Sequence, residues 1–193
     1  MRRLIPLTLL LIAQTAFTAD LERARQIVAE RCHLCHGTDG EGSSAIYPRL
    51  AAQNPEYIVK QLGDFKSGRR RGTMNEMAAD LSEEEMVALG DYFSARPARS
   101  HRVRDEKFAA VGLFLYERGN EYSEVPACMG CHGEEGKGTK DLPRLAGQHK
   151  HYLLGQLTAF SDGSRKSLVM NSIASKLTPL EMEALARYIS GMK

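Results

Sequence analysis

Four cysteines fall in two five-residue stretches, Cys32-His33-Leu34-Cys35-His36 and Cys128-Met129-Gly130-Cys131-His132. Two thiols separated by two residues on a helical turn face the same way, and an imidazole directly follows the second. This is the pattern by which a chain attaches a haem through two thioethers and offers a histidine to its iron. The sequence therefore predicts two haem c groups. Cys32 and Cys35 would hold one, Cys128 and Cys131 the other, with His36 and His132 as proximal iron ligands. A four-thiolate zinc site would have to draw one pair from each stretch and leave both histidines without a reason. Disulfides, the usual state of cysteine in an exported chain, would also leave the histidines unexplained.

An iron that only exchanges electrons is usually closed by a second protein ligand, and methionine raises its potential relative to histidine. Of the eight methionines, two pairs recur in both halves of the chain: Met74 with Met170, and Met86 with Met182. Met74 and Met170 each lie 38 residues after their own histidine, in polar stretches that follow Gly, Arg and Ser. Met86 and Met182 fall on the apolar stripe of a helix, where methionine commonly fills a core. Spacing and setting favour Met74 and Met170 as the distal ligands.

The elements that must position these groups are duplicated. With the cysteine motifs superposed, Pro48-Arg49-Leu50-Ala51 matches Pro143-Arg144-Leu145-Ala146. Tyr57, Gln61, Leu62 and Phe65 match Tyr152, Gln156, Leu157 and Phe160, and Met74-Asn75 matches Met170-Asn171. Ser82-Glu83-Glu84-Glu85 and Thr178-Pro179-Leu180-Glu181 both fit a capping box, the second with proline at the first helical position. Apolar residues then recur at helical spacing: Met86, Leu89, Tyr92 and Phe93 in one half, Met182, Leu185, Tyr188 and Ile189 in the other. Short helical patterns precede each cysteine motif, at Leu21 to Arg31 and Phe108 to Arg118. The second half inserts Gly119 to Pro126 before its first cysteine. No strand pattern of any length is present, so the expected fold is all-α, with two tandem domains of a few helices around one haem each.

Residues 1–19 read as a cleaved export signal. Arg2 and Arg3 precede an apolar run from Leu4 to Phe17, and Ala13, Ala16 and Ala19 are small residues suited to cleavage. The run is shorter than the roughly 20 residues of a membrane-spanning helix. The expected organisation is then domain 1 at 20–95, a linker at 96–105 and domain 2 at 106–193. Domains of this size bury little apolar area by themselves, and a macrocycle in each core would add to it. Without Arg2 and Arg3 the chain has 24 basic and 24 acidic residues, a balance that argues against a nucleic-acid partner. Residues 20–95 carry 13 acids against 9 bases, residues 106–193 carry 10 against 11, and the linker adds Arg96, Arg99, Arg102 and Arg104. The basic run Lys66 to Arg71 fits a docking patch, a propionate partner or a solvated loop. Arg49 and Arg144, repeated beside proline, are candidates for hydrogen bonds to propionates.

Taken together, the two Cys-x-x-Cys-His motifs, Pro-Arg-Leu-Ala, the Tyr-x-x-x-Gln-Leu helices and Met-Asn before Ala-x-x-Leu resemble the cytochrome c4 family over nearly the whole mature chain. The resemblance implies two class I cytochrome c domains with their haems facing each other across the domain interface. It also implies that the Pro48 and Pro143 carbonyls orient His36 and His132. The expected function is single-electron transfer in the periplasm between a respiratory-chain donor, such as a cytochrome bc1-type complex, and a terminal oxidase, with peripheral inner-membrane contact compatible with it. The second reading is the electron-accepting haem subunit of a periplasmic dehydrogenase, of flavocytochrome type for instance. An enzyme in its own right is disfavoured, since a peroxidase needs an open iron and a Cys-ligated sulfur enzyme needs a fifth thiol.

Overall fold

Each half of the chain lays down the same order of helices. The computed structural model describes residues 20–99 and 106–193. The expected export signal (1–19) and most of the expected linker (100–105) lie outside the described residues. In the first half, helical residues 20–27, a π-helical turn Val28–Cys32 and a last α-turn His33–His36 run on as one element, α1. Then come α2 (Pro55–Lys66), α3 (Met74–Ala78) and α4 (Glu83–Ser94). The second half repeats the set as α5 (Glu106–Arg118), α6 (Met129–His132), α7 (Lys150–Ser161), α8 (Leu168–Ala174) and α9 (Pro179–Gly191). The all-α expectation holds: the described residues contain no strand, only one isolated antiparallel bridge between Asn120 and Val125. No helix among them is long and apolar enough to cross a membrane.

Both expected capping boxes form. Ser82 Oγ accepts from Glu85 N at 3.1 Å while Ser82 N donates to Glu85 Oε2 at 3.0 Å. Thr178 Oγ1 accepts from Glu181 N at 3.3 Å while Thr178 N donates to Glu181 Oε2 at 2.8 Å. These reciprocal bonds satisfy first-turn N–H groups that a helix leaves without internal partners, and so fix where α4 and α9 begin.

Two hydrophobic clusters form, one per half. The first gathers Ile27, Val28, Ile58, Leu62, Leu81, Met86, Leu89 and Phe93, and the second Leu115, Tyr116, Val125, Leu153, Leu177, Met182, Leu185 and Ile189. In the second half α9 packs on α5. A Cβ on Gly112 would meet the Ala184 carbonyl oxygen at 2.1 Å and Tyr188 Cβ at 2.7 Å, so the backbones cross where only glycine fits. The inserted segment after α5 folds into a small closed loop through the Asn120–Val125 bridge. Val125 of that loop is buried in the second core. The insertion thus separates α5 from α6, whereas in the first half a π-turn leads without interruption into the cysteine motif.

The start of the expected linker is docked to the first domain. The Arg96 guanidinium lies 4.1 Å from the centroid of the Tyr92 ring, and the Arg99 carbonyl accepts from Arg49 Nη1 at 3.0 Å.

Candidate haem sites

Both cysteine motifs end their helix on the histidine. Gly37 (φ 72°) and Gly133 (φ 82°) follow directly, in a backbone region that side-chain-bearing residues avoid. The helix stops there and the chain turns back over the imidazole. The returning loop is tied down identically in the two halves. Gly42 N donates to the His36 carbonyl at 2.7 Å and Gly138 N to the His132 carbonyl at 2.8 Å. Leu50 N and Leu145 N each donate to a glycine carbonyl, Gly40 and Gly136, at 2.7 Å.

This loop brings Pro48 O to 3.0 Å from His36 Nδ1 and Pro143 O to 3.2 Å from His132 Nδ1. A carbonyl only accepts, so Nδ1 carries the hydrogen in each ring and the Nε2 lone pair is left available to a metal. Burial pushes both imidazoles below their ordinary range and so favours the neutral, ligating form, an effect partly offset by the bond to the proline carbonyl. Cys32, Cys35, Cys128 and Cys131 are all free of disulfides. Burial pushes the Cys128 thiol up to about 11, and the Cys32 thiol also lies above its usual range. The donor set in each half is therefore one buried, oriented imidazole beside two free thiols one helical turn apart, and this fits a covalently held haem.

The two methionine pairs occupy different settings. Met86 and Met182 are 4% and 6% exposed and sit inside the two cores. Met74 and Met170 are half-buried near the starts of α3 and α8. The residue after each braces the loop that carries it. Asn75 Nδ2 donates to the Phe65 and Arg70 carbonyls, and its Oδ1 accepts from Gly72 N at 2.8 Å. Asn171 Nδ2 donates to the Phe160 and Arg165 carbonyls, and its Oδ1 accepts from Ser167 N at 2.7 Å. The Met-Asn pairing seen in both repeats is the sequence signal for this brace.

Between the halves the contacts follow an approximate twofold pattern. Gln53 Nε2 donates to the Arg144 carbonyl at 2.9 Å and Gln53 Oε1 accepts from Arg144 N at 2.7 Å. Gln148 makes the same pair of bonds to the Arg49 backbone, at 2.9 and 2.8 Å. Further out, Arg70 reaches Gln61, Tyr152 and Gln156 at 2.6, 3.1 and 2.9 Å. Arg165 reaches Gln156, Tyr57 and Gln61 at 2.7, 2.8 and 3.0 Å. Each guanidinium lies 4.5 Å from the centroid of its own domain's phenylalanine, Phe65 or Phe160.

Of the basic run, Arg70 is drawn into the interface, while Lys66, Arg69 and Arg71 stay exposed. Lys66 donates to the Leu81 carbonyl, Arg69 pairs with Asp64 at 2.8 Å, and Arg70 crosses the interface. Arg49 is buried and directs its guanidinium to Glu41, the Arg99 carbonyl and the Gly147 carbonyl. Its side chain works as an interdomain tie. His149 likewise bonds across the interface to the Glu41 carbonyl at 2.9 Å.

A duplicated helical fold with an oriented imidazole beside two thiols in each half defines a tandem c-type cytochrome. Residues 116–193 match the family model described as "Cytochrome c", and residues 19–93 match that described as "Cytochrome C oxidase, cbb3-type, subunit III". The chain is 38% identical to cytochrome c4 of Thiocapsa roseopersicina over 83% of its own length and 86% of that protein's. It is 39% identical to a protein named thiosulfate dehydrogenase electron acceptor from Stutzerimonas stutzeri, over 85% of its own length and 80% of the relative's. Reduced recombinant cytochrome c4 from Pseudomonas stutzeri superposes with a TM-score of 0.82 at 33% identity, covering 90% of this chain and 98% of that one. The chain belongs to the cytochrome c4 family. It is a di-haem electron-transfer protein with two covalently bound haem c groups.

Proposed function

We propose that this cytochrome works in the periplasm as a carrier, taking electrons from a respiratory-chain donor and passing them to a terminal oxidase, with no substrate chemistry of its own. Cys32 and Cys35 would hold the first haem, with His36 and Met74 as ligands to its iron. Cys128 and Cys131 would hold the second, with His132 and Met170 in the same roles. When bound, the haem supplies reversible one-electron exchange at its iron. The chain's part is to fix each imidazole through a proline carbonyl, to present a methionine from an asparagine-braced loop, and to hold the two sites together. The observation that carries this reading is the sameness of the two halves. Each supplies an oriented imidazole and a braced methionine, so neither iron is set apart as the open, reactive centre an enzyme requires.

A second reading has its own support. The similarity to a thiosulfate dehydrogenase electron acceptor favours a role as the accepting partner of a dehydrogenase, with the substrate site on another chain. The deciding experiment starts from pre-reduced holoprotein mixed with membranes of the host cell in air, with and without an oxidase inhibitor. Fast, inhibitor-sensitive reoxidation supports the carrier. Negligible reoxidation overturns it in favour of the dehydrogenase partner.

A further inference from the structure

The Pro48 carbonyl and the Arg49 N–H are the two polar ends of a single peptide unit, as are the Pro143 carbonyl and the Arg144 N–H. In each unit the carbonyl end accepts from a proximal imidazole of its own domain, His36 Nδ1 at 3.0 Å or His132 Nδ1 at 3.2 Å. The N–H end donates to a glutamine of the other domain, Gln148 Oε1 at 2.8 Å or Gln53 Oε1 at 2.7 Å. A peptide group polarises as a whole, so an acceptor on its N–H makes its oxygen a stronger acceptor in turn.

We propose that Gln53 and Gln148 are crossed positioning residues, each tuning through one peptide unit the imidazole–iron bond, and hence the reduction potential, of the haem in the opposite domain. This rests on the reading of His36 and His132 as axial ligands.

Two features set these glutamines apart from ordinary interface contacts. They are 7% and 6% exposed, so little water competes for their bonds. Their amide orientation is also determined. Each Oε1 accepts two N–H groups, from the opposite arginine and from its own following residue (Asn54 N or His149 N, both 3.0 Å), while Nε2 donates to the arginine carbonyl. Turning the amide over would set two donors against its NH2 group. The oxygen is therefore held on the peptide N–H, where it polarises the bond that matters.

The sign follows from the chemistry of the ligand. A stronger acceptor on Nδ1–H makes the imidazole a better donor and stabilises the oxidised iron. Removing the glutamine oxygen should raise the potential of the haem across the interface. A hydrogen bond weakened by about 10–30% corresponds to roughly a two- to threefold change in the reduction equilibrium, or about 20–30 mV at 59 mV per tenfold.

The test uses full-length holoprotein carrying Gln53→Met or Gln148→Met. The potential of each haem is followed separately by redox titration of its resolved methyl resonances, assigned by which set Met74→Ala or Met170→Ala perturbs. Gln53→Met should raise only the haem of Cys128 and Cys131, and Gln148→Met only that of Cys32 and Cys35. A shift confined to the variant's own haem, an equal shift in both, or no shift overturns the proposal. Asn54→Ala is the control. It removes interdomain bonds to the Lys137, Thr139 and Leu142 carbonyls without touching the Pro143–Arg144 peptide. It should leave both potentials in place, and a shift equal to that of Gln53→Met would show that a loosened interface is sufficient. The ligand reading is checked apart from this, in the unmodified oxidised protein. If the His36 and His132 ring protons lack paramagnetic shifts, that reading fails. If they are shifted while the glutamine variants leave both potentials unmoved, the relay alone fails.

Discussion

Gly112→Ala should destabilise the second domain although alanine is the better helix former. In an ordinary helix interior the exchange gains about 0.5–1 kcal/mol. At Gly112 the added methyl would sit 2.1 Å from the Ala184 oxygen, 2.6 Å from the Ala184 carbonyl carbon and 2.7 Å from Tyr188 Cβ. Two of these neighbours are backbone, so no rotamer change relieves the overlap and α5 must move off α9. Overpacking of this kind costs typically about 1–3 kcal/mol, occasionally more. With so short a contact the upper part of that range applies, and the net loss should be about 1–2 kcal/mol. For a domain of this size that is about 5–15 °C in Tm. Gly155, exposed on α7, has no atom within 4 Å of its would-be Cβ, so Gly155→Ala should show the propensity gain alone. Thermal unfolding of the two holoproteins, followed by far-ultraviolet dichroism, should move in opposite directions. A Gly112→Ala protein as stable as the parent, or more so, would refute the close crossing of α5 and α9.

Met74→Ala and Met170→Ala should each abolish the sulfur-to-iron charge-transfer band of one haem. Met86→Leu and Met182→Leu, near volume-conserving swaps in the cores, should leave both bands and cost less than about 1.5 kcal/mol; loss of a band in either leucine variant would reassign the ligand. Arg70→Leu and Arg165→Leu share Gln61 and Gln156 as partners. Their effects on urea midpoints should therefore be non-additive by about 0.5–3 kcal/mol, whereas simple additivity would mean the two guanidiniums do not form one cluster. The Glu85 carboxyl is held below its ordinary range by the Ser82 N–H and then by Arg23. A lowered folded-state value contributes stability above the unfolded carboxyl range, and that stability is lost as pH falls through the folded value. Glu85→Gln should flatten the fall in urea midpoint between about pH 6 and pH 3, and a parallel curve would count against the capping box as its source.

What could be read from the sequence was whatever depends on near neighbours along the chain. The Cys-x-x-Cys-His spacing, the capping boxes at Ser82 and Thr178 and the apolar stripe that buries Met86 and Met182 are set by helical periodicity and short-range hydrogen bonds. The π-turn at Val28–Cys32 was not legible, because its residues carry no pattern that separates it from an α-turn. Nor was the fate of Lys66 to Arg71. Arg70 and Arg165 align between the repeats, but docking patch, propionate partner and solvated loop read alike until the partner domain supplies Tyr152 and Gln156 opposite Arg70. The contacts made by Arg96 and Arg99 at the start of the linker were hidden for the same reason. Tyr92 and Arg49, which hold them, lie outside the linker itself.

The duplication bears on how two similar haem sites can differ. Loop anchoring, the proline carbonyl on the imidazole, the asparagine brace and the glutamine clamp recur on both sides, with matching hydrogen bonds within about 0.2 Å of each other. Any gap between the two potentials must then come mainly from what is not duplicated. Three differences stand out. Domain 1 carries the acidic excess. Asn54 faces the carbonyls of Lys137, Thr139 and Leu142, where its counterpart His149 faces that of Glu41. Among the described residues, the closed Asn120–Val125 loop has no counterpart in domain 1. The first acts through a long-range field that salt screens. The other two act through local contacts that salt leaves largely alone. The hydrogen-bond framework gives His36 and His132 equivalent settings, and the unpaired residues around it supply the asymmetry.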